Sequence, residues 1–553
     1  MKVRKLGTMI EISFRYDPRI VSLVKSLDGR KYSPATKSWL IPLVGSMKIL
    51  ERLHAAGFVI EPELYEAVRQ DQVTTQENEA LAGMPDTEFI TPLPLYPYQK
   101  VGAAFLYRVE SGLLGDEPGL GKTLMSLAVC EKAGARKILI LCPSAVKWQW
   151  HDEIARFFPR YGIGAKNTVV IEGNKEERTR LWSSPKANVS PTFIIANYEL
   201  LIRDLEEINM HEWDVIIADE ATRIANPRAK QSKAIKKLKA KRRLALTGTP
   251  VSNRANEVWN IIDFTNPGAL GNYFSFLQRY CLKNRWGGIF GYQNMDELRN
   301  KLKRYMIRRL KVDVLPELPE KIISDVPFEL SDEEGALYKK LKKEILFEIE
   351  KKDIEKLENP MTIQYTLVKM TRLRQLADSM ELLGHNTKSS KLDVLKDLLR
   401  ETLEGNDRKA IVFTQFAEMA DILERELNEW GAYVIQGNVP DKTRKELLDL
   451  FNGDGAGRIL VMTSAGQYGL NVQRASVLFH YDQEWSLAKM QQREGRAHRI
   501  GQKDTVLVYN LLAKGTIDYY VKKVLHGKAE LSSQILGDVP ISIGEIKEML
   551  NYE

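Results

Sequence analysis

Asp116-Glu-Pro-Gly-Leu-Gly-Lys-Thr123 is the stretch on which the fold turns. Two glycines spaced by one residue and followed by Lys-Thr make a loop that can cradle phosphates. Gly119 and Gly121 let the backbone curl so that its N–H groups converge on an anion. Lys122 is placed to neutralise β/γ oxygens, and the Thr123 hydroxyl to ligate Mg²⁺. The whole run Asp116, Glu117, Pro118, Gly119, Leu120, Gly121, Lys122 and Thr123 is therefore expected to wrap a triphosphate. The usual pattern opens with Gly six positions before Lys; here Asp116 holds that place and Gly115 stands one step earlier. The apolar run Ile138 to Leu141 after the next helix supplies the βαβ setting that such a loop needs.

About a hundred residues on, Asp219-Glu220 supplies acidic partners. Asp219 is read as the carboxylate that holds Mg²⁺ through water, and Glu220 as the base that positions the attacking water. Adjacent acids at a strand end also occur as helix caps. Around them, β-rich runs alternate with helical patterns: Lys137–Cys142, Phe193–Asn197, Asp214–Ala218 and Leu244–Thr247. A second series runs Ala410–Thr414, Tyr433–Gln436, Arg458–Thr463, Val477–Tyr481 and Thr505–Asn510. Continuous apolar strands separated by helices imply parallel sheets covered on both faces, hence two α/β lobes. Asp219-Glu220, Thr247-Gly-Thr-Pro250 and Thr463-Ser464 all follow strands, at the carboxyl ends where open parallel sheets bind ligands.

The 553 residues are too many for one ordinary core, and 44% hydrophobic with 28% charged content is that of a globular chain. No run of about 18 apolar residues suggests a membrane span, and the N-terminus lacks a signal-peptide core. Cys130, Cys142 and Cys281 lie far apart without paired His, which reads as reduced thiols rather than a metal site. The net charge of +8 is clustered. Lys233, Lys236, Lys237, Lys239, Lys241, Arg242 and Arg243 form one run, expected as a basic helix face or a nuclear-localisation string. Arg299, Lys301, Lys303, Arg304, Arg308, Arg309 and Lys311 form another.

In the second lobe, Arg496 and Arg499 are three apart, so on a helix they share one face. Guanidinium forks suit the charge of a transferring phosphoryl group. A solvated basic helix or a DNA-backbone contact is the alternative, above all for Arg493.

Taken together, these motifs resemble the Swi/Snf-type family of superfamily-two DNA-dependent ATPases over about 450 residues. The matching stretches are Tyr96-Pro-Tyr-Gln99, the phosphate loop, Cys142-Pro-Ser-Ala-Val-Lys-Trp-Gln-Trp150, Asp219-Glu-Ala-Thr222 and Leu246-Thr-Gly-Thr-Pro250. They continue with Ile411 to Phe416, Thr463 to Asn471 and Gly495-Arg-Ala-His-Arg-Ile-Gly-Gln502, while Arg308-Arg309 and Leu315 to Lys321 resemble the interlobe connector. The resemblance implies an α/β fold of two RecA-like parallel-sheet lobes. A helical insertion lies between them, a small α+β N-terminal domain precedes them and a helical C-terminal tail follows. It implies ATP and Mg²⁺, adenine read by Gln99, and Arg496 and Arg499 acting as fingers. It also implies duplex or branched DNA as partner, moved along without strand separation. Lys147, Trp148, Asn197, Thr414, Thr463, Ser464 and Trp485 are the expected DNA contacts; Trp485 is equally a core residue. Departures are Thr222 where the family has His, Pro118 for Met, and Ser486-Leu487 for Asn-Pro.

The expected division is 1–75, an N-terminal domain; 76–94, a linker; 95–265, lobe 1; 266–390, a mainly helical insertion and connector with no strand series; 391–513, lobe 2; and 514–553, the tail. Residues Tyr16-Asp-Pro18, Gly29-Arg-Lys-Tyr32, Lys37 and Trp39-Leu-Ile-Pro42 resemble the HARP-type domain of annealing helicases. There Arg30, Lys31, Lys37 and Trp39 form either a basic-aromatic surface for branched or single-stranded DNA or, for Trp39, part of the domain's own core. A monomeric DNA translocase is expected, cytoplasmic in a bacterial or virus-infected cell and nuclear in a eukaryote. The alternatives are a strand-separating DNA or RNA helicase and an ATP-switched nucleic-acid-binding scaffold.

Overall fold

The computed structural model describes residues 1–522 apart from 8, 28, 35, 44–45, 159–166, 185–190, 251–255, 284–288, 351–359, 386–387, 454, 456 and 464–471. The chain divides between Val314 and Leu315 into two compact units. Ser464 and nearly all of the expected C-terminal tail lie outside the described residues, which end in a helix at 517–522.

The first unit begins with a sheet of β1 (Lys2–Leu6), β2 (Met9–Ser13), β3 (Lys31–Ser33), β4 (Ser38–Pro42) and β5 (Val59–Ile60), ordered β3-β4-β2-β1-β5. Alternation puts Ile10, Ile12 and Ile41 inward against Val24, Leu50 and Leu53 of the helices Pro18–Lys25 and Met47–Ala55. Asp17 caps the first helix, accepting from Arg19 N at 2.7 Å. This domain docks backbone to backbone on the rest of the unit. A Cβ at Gly271 would lie 2.5 Å from the Gly29 Cα, and both residues have positive φ, so only glycine fits either place.

The expected linker is helical as far as Ala82, within a 21-residue helix Pro62–Ala82. Its apolar periodicity fades because polar groups dock it. Asp71 pairs with Arg304 at 3.1 Å, Glu79 with Lys303 at 2.5 Å and Glu77 with Arg108, while Asn78 Nδ2 donates to Arg304 O. Lys303 and Arg304 of the second basic run are used in these pairs. The first run is no helix face either, since the helix Lys230–Ile235 gives way to a strand beginning at Ala240. Lys236 holds Asp263 and Asn260, Lys241 holds Asp214, and Arg243 donates to the Leu238 and Phe264 carbonyls.

The main sheet of this unit contains β6 (Gly112–Leu114), β7 (Lys137–Cys142), β8 (Thr168–Val170), β9 (Thr192–Asn197), β10 (Trp213–Asp219) and β11 (Ala240–Leu246). Runs such as Ile138–Cys142 are wholly buried, as strands covered on both faces must be. The insertion carries a hairpin, β12 (Cys281–Lys283) and β13 (Ile289–Tyr292), and then β14 (Met306–Ile307). β14 joins the sheet in parallel beside β6, giving the order β14-β6-β11-β10-β7-β9-β8. The sequence shows no strand series here because β14 has only two residues, too few to make a pattern.

The second unit opens with another such strand, β15 (Lys321–Phe328), followed by β16 (Lys409–Phe413), β17 (Ala432–Ile435), β18 (Ile459–Met462), β19 (Ala475–His480) and β20 (Val506–Ala513). All pairs are parallel, in the order β15-β20-β19-β16-β18-β17. β15 escapes a search for apolar runs because it is a half-exposed edge strand. Behind the sheet, Lys391 is fully buried and donates to Asp378 at 2.8 Å and Asp518 at 2.7 Å. Burial pushes the Asp378 carboxyl up to about 8 in spite of Lys391. Among the described residues no helix is long and apolar enough to cross a membrane.

Candidate functional site

In the first unit the register of three adjacent strands assembles the motifs. Leu114 of β6 pairs with Leu246 of β11, and Leu246 with Asp219 of β10. With neighbouring strands about 4.8 Å apart, the start of the phosphate loop, Thr247-Gly-Thr and Asp219-Glu220 lie within roughly 10 Å of one another at one sheet edge. Thr247 N donates to Leu114 O at 3.1 Å, and Gly248 packs so closely on Pro118 that a Cβ there would meet its ring at 2.6 Å.

The loop is built for an anion. Gly119 and Gly121 have φ of 91° and 79°, and Gly121 caps the helix Lys122–Lys132, whose N-terminal N–H groups carry partial positive charge. Lys122 Nζ donates to the carbonyls of Asp116 and Glu117 at 2.7 and 3.2 Å, arching over the loop from within. Gln99 is buried: its amide N–H donates to Leu120 O and its oxygen accepts from Tyr96 N. It thereby ties the Tyr96 turn to the loop, beside a Tyr96 ring that is 45% exposed.

Asp116 does not face the ligand side as expected. Its carboxylate is fully buried and paired with Arg309, whose Nε donates to it at 3.1 Å and whose backbone N–H does so at 3.0 Å. Glu117 likewise accepts from Lys311 N at 2.8 Å. The two acids at the head of the loop are held by the connector.

Asp219 accepts from the Trp150 indole N–H at 2.9 Å and from Glu220 N at 3.0 Å, and its carbonyl accepts from Tyr198 OH at 2.7 Å. Glu220 sits in the left-handed region (φ 50°, ψ 54°), a strained conformation for a residue with a Cβ that concentrates at working sites. Trp150 lies within a quoted motif, but its role was missed because the motif gives no direction to its side chain. Among the described residues no cluster of three His, Cys, Asp or Glu side chains could hold a metal alone. Mg²⁺ asks for less, one or two oxygen ligands besides phosphate and water.

In the second unit, the helix Leu487–Ala497 ends before Arg499, so Arg496 and Arg499 do not share a helical face. Arg496 stands in the last turn and Arg499 in the turn beyond it. Arg493 is no surface residue: it is fully buried, donates to Glu484 at 2.9 Å and stacks over Phe413. Glu494 is buried, which alone would raise its carboxyl; neighbouring His480 and Lys321, the latter at 2.6 Å, outweigh burial and hold it at about 2.

The expected DNA contacts separate into surface and interior. Trp148 is 39% exposed at the start of the helix Lys147–Phe157, and Asn197 is half-buried, donating to Glu199. Lys147 is buried, its ammonium donating to Ile171 O at 3.1 Å, and Thr414 is fully buried with its hydroxyl on Asp482 at 2.7 Å. Both polar groups are thus engaged by internal partners. Thr463 is buried at the end of β18. Trp485 packs on the core below Arg374, whose guanidinium lies 5.6 Å from its ring.

Comparison with known proteins places this geometry in context. A model described as the SNF2-related domain matches residues 98–382, and one described as the helicase conserved C-terminal domain matches 390–501. An uncharacterized ATP-dependent helicase of Mycoplasma genitalium is 32% identical over 80% of this chain and 42% of its own length. A Bacillus subtilis protein named as an ATP-dependent helicase/translocase is 30% identical over 80% of this chain and 49% of its own. The chain thus spans less than half the length of each of these two relatives. The Sulfolobus solfataricus SWI2/SNF2 ATPase core in complex with dsDNA is 27% identical, covering 84% of this chain and 100% of that one with a TM-score of 0.39.

Proposed function

Because the chain belongs to the SNF2-related family, we propose that it is an ATP-dependent translocase on double-stranded DNA that remodels forks, bubbles or annealing strands, or displaces bound proteins. The observation that carries the reading is the register row Leu114, Leu246 and Asp219, which gathers phosphate loop, Thr247 and acids at one sheet edge. Lys122 and the N–H groups of Gly119 to Thr123 bind the triphosphate, and Glu220 orients and deprotonates the attacking water. Thr123 and Asp219 would hold Mg²⁺, which would supply charge neutralisation. Arg496 and Arg499 of the second lobe meet the charge that develops on the transferring group.

The N-terminal domain is the candidate selector of DNA structure. Its β3–β4 hairpin presents Lys31, Tyr32 and Lys37 to solvent, with Tyr32 5.2 Å from a half-buried Trp39. Aromatics among basic groups suit unpaired bases and their phosphates.

The test is steady-state ATPase at fixed salt with no nucleic acid, single strand, blunt duplex, fork and RNA. Stimulation by duplex or fork is expected; stimulation only by single strand or RNA would favour an unwinding helicase, and a flat response an ATP switch. Lys122→Ala should abolish turnover while DNA binding persists. Retained hydrolysis in that variant would refute the loop assignment.

A further inference from the structure

Within the first unit, the N-terminal domain and the insertion enclose a cleft of about 1000 Å³. Four helices line it: Met47–Ala55, Pro62–Ala82, Tyr273–Tyr280 and Met295–Leu302. Gly29 belongs to the lining where it meets Gly271, and beside it Asn272 Nδ2 donates to Arg30 O. Five cationic side chains line the cleft against three carboxylates, and every one of those carboxylates is already paired. Asp71 holds Arg304 at 3.1 Å, Glu79 holds Lys303 at 2.5 Å, and Glu297 holds Arg279 at 2.6 Å and Lys301 at 2.9 Å. The excess charge is Lys48 and Arg52, both exposed and four apart on one helix. Among the described residues neither forms an ion pair, and Arg52 donates to Ser26 Oγ at 3.0 Å. Like charges at that spacing repel on a helix, so this face lacks an anion. Gln72 and Gln76, also four apart, and Asn300 add exposed amides to the same lining.

We propose that this cleft holds the sugar-phosphate backbone of a single nucleic-acid strand, with Lys48 and Arg52 on phosphates and Gln72, Gln76 and Asn300 on phosphate or sugar oxygens. The inference rests on the nucleic-acid reading above and gives the N-terminal domain a second place at which to select DNA structure. A cube of the cleft's volume is about 10 Å on a side, less than the roughly 12 Å width of a duplex's major groove, so a strand fits where a duplex does not. Guanidinium, ammonium and amide groups hold a backbone without reading bases. Tyr32 follows Gly29 by three residues, about 10 Å of extended chain, so one unpaired strand can span the cleft and the exposed tyrosine. An acidic peptide fits less well. Leu270 and Phe276 of the lining are buried, and so offer no apolar pocket for the anchoring side chain on which peptide affinity rests.

The test is fluorescence anisotropy of a labelled oligothymidylate with the full chain at several salt concentrations. Wild type is compared with the pair Lys48→Gln and Arg52→Gln, and with a control pair, Lys175→Gln and Arg180→Gln, equally exposed on the helix Lys175–Trp182. Losing two phosphate contacts should flatten the slope of log affinity against log salt by about 1.4, which is roughly 25-fold in affinity at 0.1 M salt if the contacts vanish at 1 M. Blunt duplex of the same length should lose less, and ATPase without nucleic acid should stay within about twofold of wild type, showing that the variant is folded. An unchanged slope, an equal loss in the control pair or an equal loss for duplex would overturn the proposal. So would polyglutamate that displaces the oligonucleotide at equal concentration of charge, the result expected of an acidic-peptide site. In all these cases ATPase stimulation of the wild type by duplex persists. A wild-type chain stimulated by no nucleic acid would defeat the functional reading itself, and the proposal with it, so the two failures are distinguishable.

Discussion

Replacing Lys391 by Met keeps most of its volume and removes only the charge that Asp378 and Asp518 share. In the wild type the triad is neutral when one carboxyl is protonated and the ammonium faces the other. Without Lys391, the second carboxyl must either stay charged in the interior or take up a proton. The second course is the cheaper. It costs about 1.4 kcal/mol for each pH unit above an ordinary Asp value near 3.9, hence about 5 kcal/mol at pH 7.5 and about 1.5 kcal/mol at pH 5. The figure at pH 7.5 lies at the upper end of the roughly 3–5 kcal/mol typical of a broken buried pair. The sign follows from proton counting: the folded variant binds a proton that the unfolded chain lacks above pH 4, so its stability falls as pH rises. Amide hydrogen exchange of Val506–Ala513, the strand that leads to Asp518, reads this directly. Protection should drop about a thousandfold or more relative to wild type at pH 7.5 and about tenfold at pH 5. A loss below tenfold at pH 7.5, or an equal loss at both, would refute the argument.

Two further outcomes test the first unit. Trp150→Phe deletes the N–H that holds Asp219 and preserves the ring, so kcat for ATP should fall by roughly 10- to 100-fold, the worth of a hydrogen bond to a charged group; unchanged turnover would show that Asp219 needs no such support. Gly271→Ala puts a methyl into the Gly29 backbone at a positive φ, costing at least about 1–2 kcal/mol from conformation alone. Limited trypsin digestion should then cut more readily near Arg30, and a wild-type digestion pattern would mean that the two glycines are not a docking point.

The parts of this molecule that a sequence discloses are those governed by neighbours in the chain. Ile138–Leu141 and Ile411–Phe413 are continuous apolar runs, and Gly119 with Gly121 can be read directly as a curled loop. Contacts between distant residues leave no such trace. Asp116 and Arg309 are 193 positions apart, and nothing near either shows that each is buried against the other. Motif position also fixes register without depth, which is why Lys147 and Thr414 pass as surface contacts until their partners, Ile171 O and Asp482, are seen. The helix Pro62–Ala82 hides for a third reason: ion pairs dock it, and ion pairs have no hydrophobic period. For the same reason the first basic run reads as a helix face although Lys236, Lys241 and Arg243 are spent on internal partners.

The two connector strands also set an order of assembly on a chain that emerges from its N-terminus. The sheet of the first unit receives its edge strand as soon as residue 307 is available, and Arg309 can then seal the loop while the second lobe is still being made. β15, a few residues on, has no such neighbour at hand. Its partner β20 is the last strand of its sheet, and Asp325 waits for Asn510, 185 residues downstream. During synthesis the first lobe can therefore close early, whereas the second remains open at this edge until residue 513 has appeared. A half-exposed strand that includes Lys321, Asp325 and Pro327 is suited to that interval, because charge and proline discourage pairing with a stray edge.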